Sequence, residues 1–340
     1  MKYDLDRVVD RSGTGAAKWD AYRGGSHAGP ITAINASLDS DGPIPMWVAD
    51  MDFPAPQPVI DALSERVQHG IFGYSMAKDS YFDAAIDWFG RRHDWEISKD
   101  WISTAPGIVP AIHFAVRTYC KPGDKVLVQQ PVYYPFFSSI TNGGCEIVSS
   151  ALINTDGYYE MDFDDLEARA ADPGVKLAIL CSPHNPVGRV WTEDELRRYG
   201  EICTRNGVLV IADEIHCDLM MPGVRFQPYG LLGDDLVNNA IICTAPSKTF
   251  NLAGMHLSNM VIPNKDLHKA YDDYMVQIGV AGGLNPLALT AVEAAYNHGE
   301  DWLGQVLEYI WENHLHLDDF LAENIPQIKV IKLEGTYLNW

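Results

Sequence analysis

The chain has 340 residues, of which 47% are hydrophobic and 21% charged, a composition typical of soluble globular proteins. Its length predicts about two domains. Its formal net charge of −21 predicts repulsion from nucleic-acid phosphates and anionic lipid headgroups, so we expect neither a nucleic acid nor a membrane as a partner.

The first residues of the chain show no targeting pattern. Residues 1–10 are too charged for a secretory signal, and no apolar stretch approaches the ~18 residues of a membrane span. Residues 1–45 are rich in Gly, Ser, Asp and Thr, which predicts an irregular N-terminal arm.

Helical and strand patterns alternate through the middle of the chain. Residues 107–120 have helical spacing, and residues 192–207 begin with a capping-box pattern at Thr192 and Glu195 and end at Gly207. Apolar runs predict five strands, at 125–130, 145–152, 176–182, 207–214 and 239–245. Beyond Gly283 we expect helices at 286–298 and 301–323 and a strand at 328–333.

Strands that are apolar on both faces and separated by helices predict an α/β fold with a mostly parallel sheet covered by helices on both sides. Right-handed crossovers bring the loops after these strands to one edge of the sheet, where ligands bind in open α/β sheets. The loops to inspect are therefore 131–134, 182–188, 213–218 and 245–251.

The six cysteines show no C-x-x-C or zinc-type spacing. Several lie within apolar runs, so we interpret them as buried free thiols. This cysteine usage is typical of a reducing compartment, most simply the cytoplasm.

Lys248 follows a buried strand in a loop without other charges, APSKTFN (245–251). A charged amine there has a high desolvation cost, and one resolution is a lysine of depressed pKa that can condense with an aldehyde cofactor. The alternative is a lysine whose stem lies on the sheet while its amine reaches water.

Asp213 ends another apolar strand, within IADEIHCD (211–218). A buried carboxylate needs a cationic partner, and a protonated pyridine nitrogen would supply one. A structural ion pair and a metal site are the alternatives. Strand alternation argues against metal, because it sends Asp213 and Glu214 to opposite faces.

Two further motifs are weaker on their own. In SPHNPVG (182–188), a rigid turn could direct the Asn185 amide at a ring oxygen, or the segment is an ordinary connector. In APGIVP (105–110), glycine begins a helix whose free N–H groups would suit a phosphate, although this is not a G-x-G-x-x-G motif.

Together these motifs resemble fold-type I pyridoxal-phosphate (PLP) enzymes of the aspartate aminotransferase superfamily, and within it the MalY/PatB-type cystathionine β-lyase (C–S lyase) branch. The phrases that carry the resemblance are MWVADMDF (46–53), GIFGYS (70–75), CSPHNP (181–186), DEIH (213–216) and APSKTFN (245–251), extended by VVDRSGT (8–14) and EGTYL (334–338). The resemblance thus covers essentially the whole chain.

The resemblance implies roles for residues at matching positions. Lys248 would bind the cofactor aldehyde covalently and move protons at the substrate Cα, and Asp213 would pair with the pyridinium nitrogen. Tyr133 would stack on the ring, and Asn185 would bond its O3′ with His216 nearby. The phosphate would be held by Gly107, Ile108, Val109, Ser247 and Tyr74, the last of these from the other subunit of a homodimer. Ala49 and Asp50 would line the substrate side, and no metal is implied.

Three departures from the family pattern are present, and two of them concern phosphate binding and the substrate carboxylate. His256 stands where aminotransferases have an arginine against the phosphate, which favours a lyase, and Val187 replaces a common threonine. The family's carboxylate-binding arginine would lie beyond Trp340. We therefore expect residues 1–45 to form the arm and part of a small domain, 46–285 the large PLP-binding domain, and 286–340 an incomplete C-terminal small domain.

The resemblance implies a C–S β-lyase that cleaves cystathionine or cysteine S-conjugates to a thiol, pyruvate and ammonia. An aminotransferase on the same scaffold is the alternative, because both reactions use the same residues. A protein-binding modulator of a transcriptional regulator is a third possibility implied by this branch. Whether a chain ending at residue 340 is active stays open at this point.

Overall fold

A seven-stranded mixed sheet forms the centre of the structure, a computed structural model that describes residues 1–20 and 45–340. Its strands, in chain order, are β1 (Ile102–Ala105), β2 (Lys125–Val128), β3 (Glu146–Ser149), β6 (Val175–Cys181), β7 (Leu209–Asp213), β8 (Ala240–Thr244) and β9 (Ser258–Val261). A separate hairpin consists of β4 (Ile153–Thr155) and β5 (Tyr158–Glu160).

The spatial order of the sheet is β1-β9-β8-β7-β6-β2-β3. The five strands predicted from apolar runs, β2, β3, β6, β7 and β8, pair in parallel. At one edge, β9 pairs antiparallel with β8, and β1 pairs antiparallel with β9. The predicted mostly parallel sheet is thus confirmed, with an antiparallel extension that the sequence did not reveal.

Helices cover both faces of the sheet. In chain order they are α1 (Ala17–Asp20), α2 (Gln57–His69), α3 (Asp79–His93), α4 (Ile108–Tyr119), α5 (Pro135–Thr141), α6 (Phe163–Ala170), α7 (Glu193–Arg205), α8 (Asp234–Val237), α9 (Pro246–Thr249), α10 (Lys265–Gln277), α11 (Pro286–His298) and α12 (Glu300–Asn324). Short 3₁₀ turns occur at Lys99–Trp101, Tyr229–Leu231 and Ala253–Met255.

Two apolar cores lie on opposite sides of the sheet because side chains alternate along each strand. In β2, for example, Val126 and Val128 pack in the core that includes α4, whereas Leu127 packs in the other core. The six cysteines are free and buried, as predicted. The central strands therefore fix the positions of the loops that follow them.

The predicted helix beginning at Thr192 is confirmed together with its cap. The Thr192 hydroxyl accepts a hydrogen bond from the Glu195 N–H at 3.2 Å, and the Glu195 carboxylate accepts one from the Thr192 N–H at 2.8 Å. Gly207 follows the helix with φ at 68°, the left-handed conformation expected after a helix end.

The strand predicted at 328–333 is wrong. Among the described residues this segment pairs with no strand, and its end is held instead by the Glu334 and Gly335 N–H groups, which donate to the Gly188 carbonyl. Strands β1 and β9 and helices α2, α3 and α10 were not predicted.

The first residues of the chain pack on α12. The Tyr3 N–H donates to Gln305 at 2.8 Å, and the Tyr309 hydroxyl donates to Asp6 at 2.9 Å. The rest of the predicted arm, residues 21–44, lies outside the described residues. Within the described ranges, the helices are all too short or too polar to cross a membrane.

Candidate active site

A cavity of about 310 Å³ opens at the carboxyl ends of β6, β7 and β8. It is lined by Ala49, Pro106, Gly107, Ile108, Val109, Pro110, Tyr133, Cys181, Asn185, Asp213, Ile215, His216, Ser247, Lys248, Ala253 and His256. The four loops singled out in the sequence thus converge on one cavity, because their strands are adjacent and end at the same edge.

Lys248 lies in α9, the single turn that follows β8. Its Nζ donates to the Ala49 carbonyl oxygen at 2.5 Å. Burial lowers the pKa of Lys248, against the opposing effect of the carboxylates of Asp50 and Asp213. The alternative of an amine that reaches bulk water does not fit these surroundings, whereas a lysine with a depressed pKa does.

Asp213 is the last residue of β7, opposite Cys181 of β6 in the ladder. Burial raises the pKa of its carboxyl to about 7, although the Ile215 N–H, which donates to Oδ1 at 3.1 Å, and Lys248 both act to lower it. No salt bridge to Asp213 is present in the part of the chain that the structure describes. A cation bound in the cavity could therefore pair with the Asp213 carboxylate, which has no salt-bridge partner among the described residues.

Glu214 points to the other side of the sheet, as strand alternation predicted. It accepts a hydrogen bond from the Tyr229 N–H at 2.7 Å, and burial raises its pKa to about 8. Asp213 and Glu214 therefore do not act together as metal ligands.

His216 is buried beside Lys248. Burial lowers the pKa of its imidazole to about 3, and the positive charge of Lys248 acts in the same direction. Its Nδ1 is buried without a hydrogen-bond partner among the described residues. His216 is therefore a neutral imidazole with an unused polar atom at the cavity wall.

A histidine links the loops that carry Asn185 and Tyr133. The His184 Nε2 lies 2.8 Å from the Pro131 carbonyl oxygen, and burial lowers the pKa of His184 to about 4. The neutral ring donates through Nε2, because a carbonyl oxygen only accepts.

Burial also raises the pKa of Tyr133 to about 12, so this phenol is protonated near neutral pH. The Asn185–Pro186 peptide bond is cis.

The start of α4 faces the cavity, where Gly107, Ile108 and Val109 are all lining residues. Gly107 has φ at 102°, and its N–H donates to the Ala105 carbonyl at 2.8 Å, so this group is already used. The N–H groups of Ile108 and Val109 are in the first helical turn, where no intrahelical acceptor exists. Ile108 and Val109 therefore offer N–H groups without an acceptor in the helix, whereas the Gly107 N–H has an acceptor in Ala105.

Two expected site residues do not line the cavity. The Asp50 carboxylate turns away to form a two-point ion pair with Arg11, at 3.0 and 2.9 Å. Tyr74 is fully exposed outside the cavity of this chain. Ala49, Ser247 and His256, by contrast, are among the lining residues.

Two residues to which the sequence assigned no role hold the site together. The Asn251 side chain accepts from the Met51 N–H at 3.0 Å and donates to the Met51 and Phe53 carbonyls, both at 2.9 Å. The Tyr337 hydroxyl donates to the Ala49 carbonyl at 2.9 Å. Both lie in motifs that carry the family resemblance, which is the only sequence signal that could have found them.

Asp218 anchors the turn that carries Lys248. It accepts hydrogen bonds from Thr249 at 2.7 Å, His93 at 2.8 Å and Arg92 at 3.1 Å. Burial by itself would raise the pKa of Asp218, but these donors and charges bring it below its usual value. His93, Cys217 and Asp218 lie close enough together to hold a metal ion, but the Asp218 oxygens are already satisfied.

Comparison with known proteins agrees with this geometry. The family model "Aminotransferase class I and II" matches residues 44–340. The chain is 41% identical to cystathionine beta-lyase PatB of Bacillus subtilis, over 99% of this chain and 84% of that protein.

Two solved structures have nearly the same fold. Cystalysin from Treponema denticola, which contains a pyridoxal 5'-phosphate cofactor, matches 100% of this chain and 84% of its own with a TM-score of 0.93 and 37% identity. A PLP-bound putative aminotransferase from Clostridium difficile matches the same shares, 100% and 84%, with a TM-score of 0.92 and 40% identity.

Proposed function

Because the chain belongs to the aminotransferase class I and II family, whose fold and PLP dependence were expected from its motifs, we propose that it is a PLP-dependent C–S β-lyase. Its substrates would be cystathionine or cysteine S-conjugates, and its products a thiol, pyruvate and ammonia. The relative at 41% identity, named a cystathionine beta-lyase, supports this choice.

The cavity fits the cofactor at its most demanding point, the ring nitrogen. Asp213 is a buried carboxylate that accepts one hydrogen bond, from the Ile215 N–H, and is also acted on by the charge of Lys248. A protonated pyridine nitrogen would supply the missing cation, and the carboxylate would in turn keep that nitrogen protonated. Asn185 and the unused polar atom of His216 are the candidates for the ring oxygen.

The other cavity residues suit the rest of the cofactor. Tyr133 offers a flat, half-buried ring for stacking. The N–H groups of Ile108 and Val109, together with Ser247, would bind the phosphate at the start of α4. His256 would take the place of the arginine that aminotransferases carry there.

Lys248 would perform the proton transfers. When bound, the cofactor supplies an electron sink for negative charge at the substrate Cα. Lys248 would hold the cofactor through Nζ, and its free amine would remove the substrate Cα proton as a general base. The Ala49 carbonyl, which accepts a hydrogen bond from Nζ in this structure, would also accept one from the free Lys248 nitrogen.

The main observation that supports the proposal is that Lys248 and Asp213 line the same cavity. Reconstituted protein should absorb in the visible range, and borohydride should attach the cofactor to Lys248. With cystathionine and without any keto acid, pyruvate and thiol should form in equal amounts. A label on another lysine would refute the site, and product that requires a keto acid would refute the lyase.

The Clostridium difficile structure, described as a putative aminotransferase at 40% identity, favours an aminotransferase as the second candidate. The site residues serve both reactions, so the assay without a keto acid decides between them.

We also propose a homodimer in which Tyr74 reaches the partner's cofactor phosphate. The segment around it exposes Ile71, Phe72, Tyr74 and Met76, with 55% or more of each side chain accessible, an unusual apolar surface. Light scattering at the dimer mass, and weaker PLP binding by Tyr74→Phe, would support this arrangement. A monomer with full PLP affinity would refute it.

The domain boundaries and the compartment remain proposals of the same kind. The contacts of residues 1–20 with α12 support a small domain built from both ends of the chain. Six free cysteines support a cytoplasmic location.

A further inference from the structure

Four charged side chains form an ion cluster beside the cavity: Arg11, Lys18, Asp50 and Asp52. Arg11 bonds both oxygens of Asp50, at 3.0 and 2.9 Å, and lies 2.7 Å from Asp52. Lys18 Nζ lies 2.6 Å from Asp52 and 3.9 Å from Asp50. Two acidic and two basic groups cancel in formal charge, so the ion cluster is neutral as a whole.

The ion cluster is partly shielded from solvent. The side chains of Lys18, Arg11 and Asp50 are 9%, 20% and 22% exposed. Salt screens charges in such positions less than it screens surface charges, so any net charge of the ion cluster acts on neighbouring groups. Removal of one member would therefore leave a net charge that acts on neighbouring groups.

Lys248 is such a neighbour. Its Nζ binds the carbonyl of Ala49, the residue before Asp50, and Lys18 Nζ binds the carbonyl of Asp50 itself at 3.1 Å. The amine of Lys248 and the ion cluster are thus joined through two consecutive peptide groups. The negative charge of Asp50 also acts to raise the pKa of Lys248.

Other titratable groups face Lys248 from the surrounding elements. These are Asp213, Cys181, His216, Tyr133 and His256 in the cavity and Tyr337, which shares the Ala49 carbonyl. Of these groups, Asp213 is the other carboxylate that acts on Lys248, and the cofactor would neutralise it. Asp50 lies outside the cavity, so the protein must neutralise it by other means.

We propose that Arg11, supported by Lys18, is a positioning residue for Lys248: it neutralises Asp50 and so keeps the Lys248 amine from being held as an ammonium ion. The functional importance of an uncharged Lys248 amine rests on the proposed function, because cofactor attachment and proton removal both need an uncharged amine. The charge effect itself needs neither cofactor nor substrate.

The test measures the Lys248 amine in cofactor-free protein. Labelling by trinitrobenzenesulfonate, followed at the Lys248 peptide by mass spectrometry, reports the free amine as a function of pH. In Arg11→Met the labelling curve should move to higher pH by about one unit, which slows labelling about tenfold below the pKa. Arg7→Met, the same change at an exposed position of the same segment, should leave the curve unchanged.

A double-mutant cycle separates charge from structure. Asp50→Asn should move the curve to lower pH, and Arg11→Met with Asp50→Asn should return it close to wild type. Arg11→Lys, which keeps the charge, should resemble wild type. If Arg11 acted only as a staple for the N-terminal segment, the double variant would stay as shifted as Arg11→Met, and the proposal would be overturned.

Unchanged labelling in a folded Arg11→Met variant would also overturn it. If Arg11→Met does not fold, Asp50→Asn alone decides: a curve that does not move to lower pH refutes the proposal. Failure of the lyase assay would refute the proposed function and leave these labelling results intact.

Discussion

Replacement of Asp213 by asparagine should make the cofactor-free protein more stable, and only at the higher pH values. Burial raises the carboxyl pKa from 3.8 to about 7 in the folded protein. Between these values the folded state holds a proton that the unfolded chain has released. Stability therefore falls as pH rises from about 4 to about 7. Asparagine has the same shape and carries no such titration.

The size of this effect follows from the same numbers. From pH 5 to the folded pKa of about 7 is about two units, and each unit corresponds to 1.36 kcal/mol, roughly 3 kcal/mol in all. Urea unfolding of cofactor-free wild type and Asp213→Asn, at pH 5 and pH 8, measures it directly. The stability advantage of the variant should be roughly 3 kcal/mol larger at pH 8 than at pH 5.

Two controls make the comparison specific. Asp87→Asn, at an exposed position of α3, should show no pH-dependent difference. Repeating the comparison of Asp213 with Asp213→Asn in a Lys248→Met background removes the contribution of the neighbouring amine to the pH dependence. An advantage that is the same at both pH values would refute the argument that Asp213 is a buried carboxylate without a cation.

The other predictions concern the lysine, a helix cap and the buried anchor. Lys248→Ala should lose visible cofactor absorption and at least about a hundredfold of activity while its circular dichroism is unchanged, since the general base is gone. Thr192→Ala should cost about 1 kcal/mol in urea unfolding, because the capping bond to Glu195 is lost. Asp218→Ala should cost about 3–5 kcal/mol in the same assay, because the buried side chains of His93 and Thr249 lose their acceptor and Arg92 loses one of its carboxylates.

Each of these has an outcome that contradicts it. Substantial activity in Lys248→Ala would move the general base elsewhere. Thr155→Ala, at an exposed strand position, is the matched control for Thr192→Ala, and equal losses in both would remove the capping argument. A change below about 1 kcal/mol for Asp218→Ala would show that this cluster does not anchor α9.

The central strands could be predicted because parallel strands buried on both faces are long apolar runs. β1 and β9 could not, since Ile102–Ala105 and Ser258–Val261 mix polar and apolar residues. In α2, Val59 is the one buried residue, too little for a clear apolar stripe. The segment 328–333 has a strand pattern, but a strand also needs a neighbour, which local sequence does not report.

The candidate site shows the same limit. The sequence placed Lys248, Asp213, Asn185 and Tyr133 on loops that the structure brings together. The direction of Asp50, however, depends on Arg11, which lies 39 residues earlier. Such contacts between distant segments have no local pattern.

The acceptor for the Lys248 amine is a main-chain oxygen of Ala49, not a side chain. Any amino acid offers that same oxygen, so the identity of residue 49 is free to vary without loss of the lysine's partner. Larger or smaller groups at this position can therefore reshape the space available to a bound molecule while the reacting nitrogen keeps its resting place. At this wall of the cavity, a change of the residue 49 side chain can therefore alter substrate choice without altering the hydrogen bond to the reacting nitrogen.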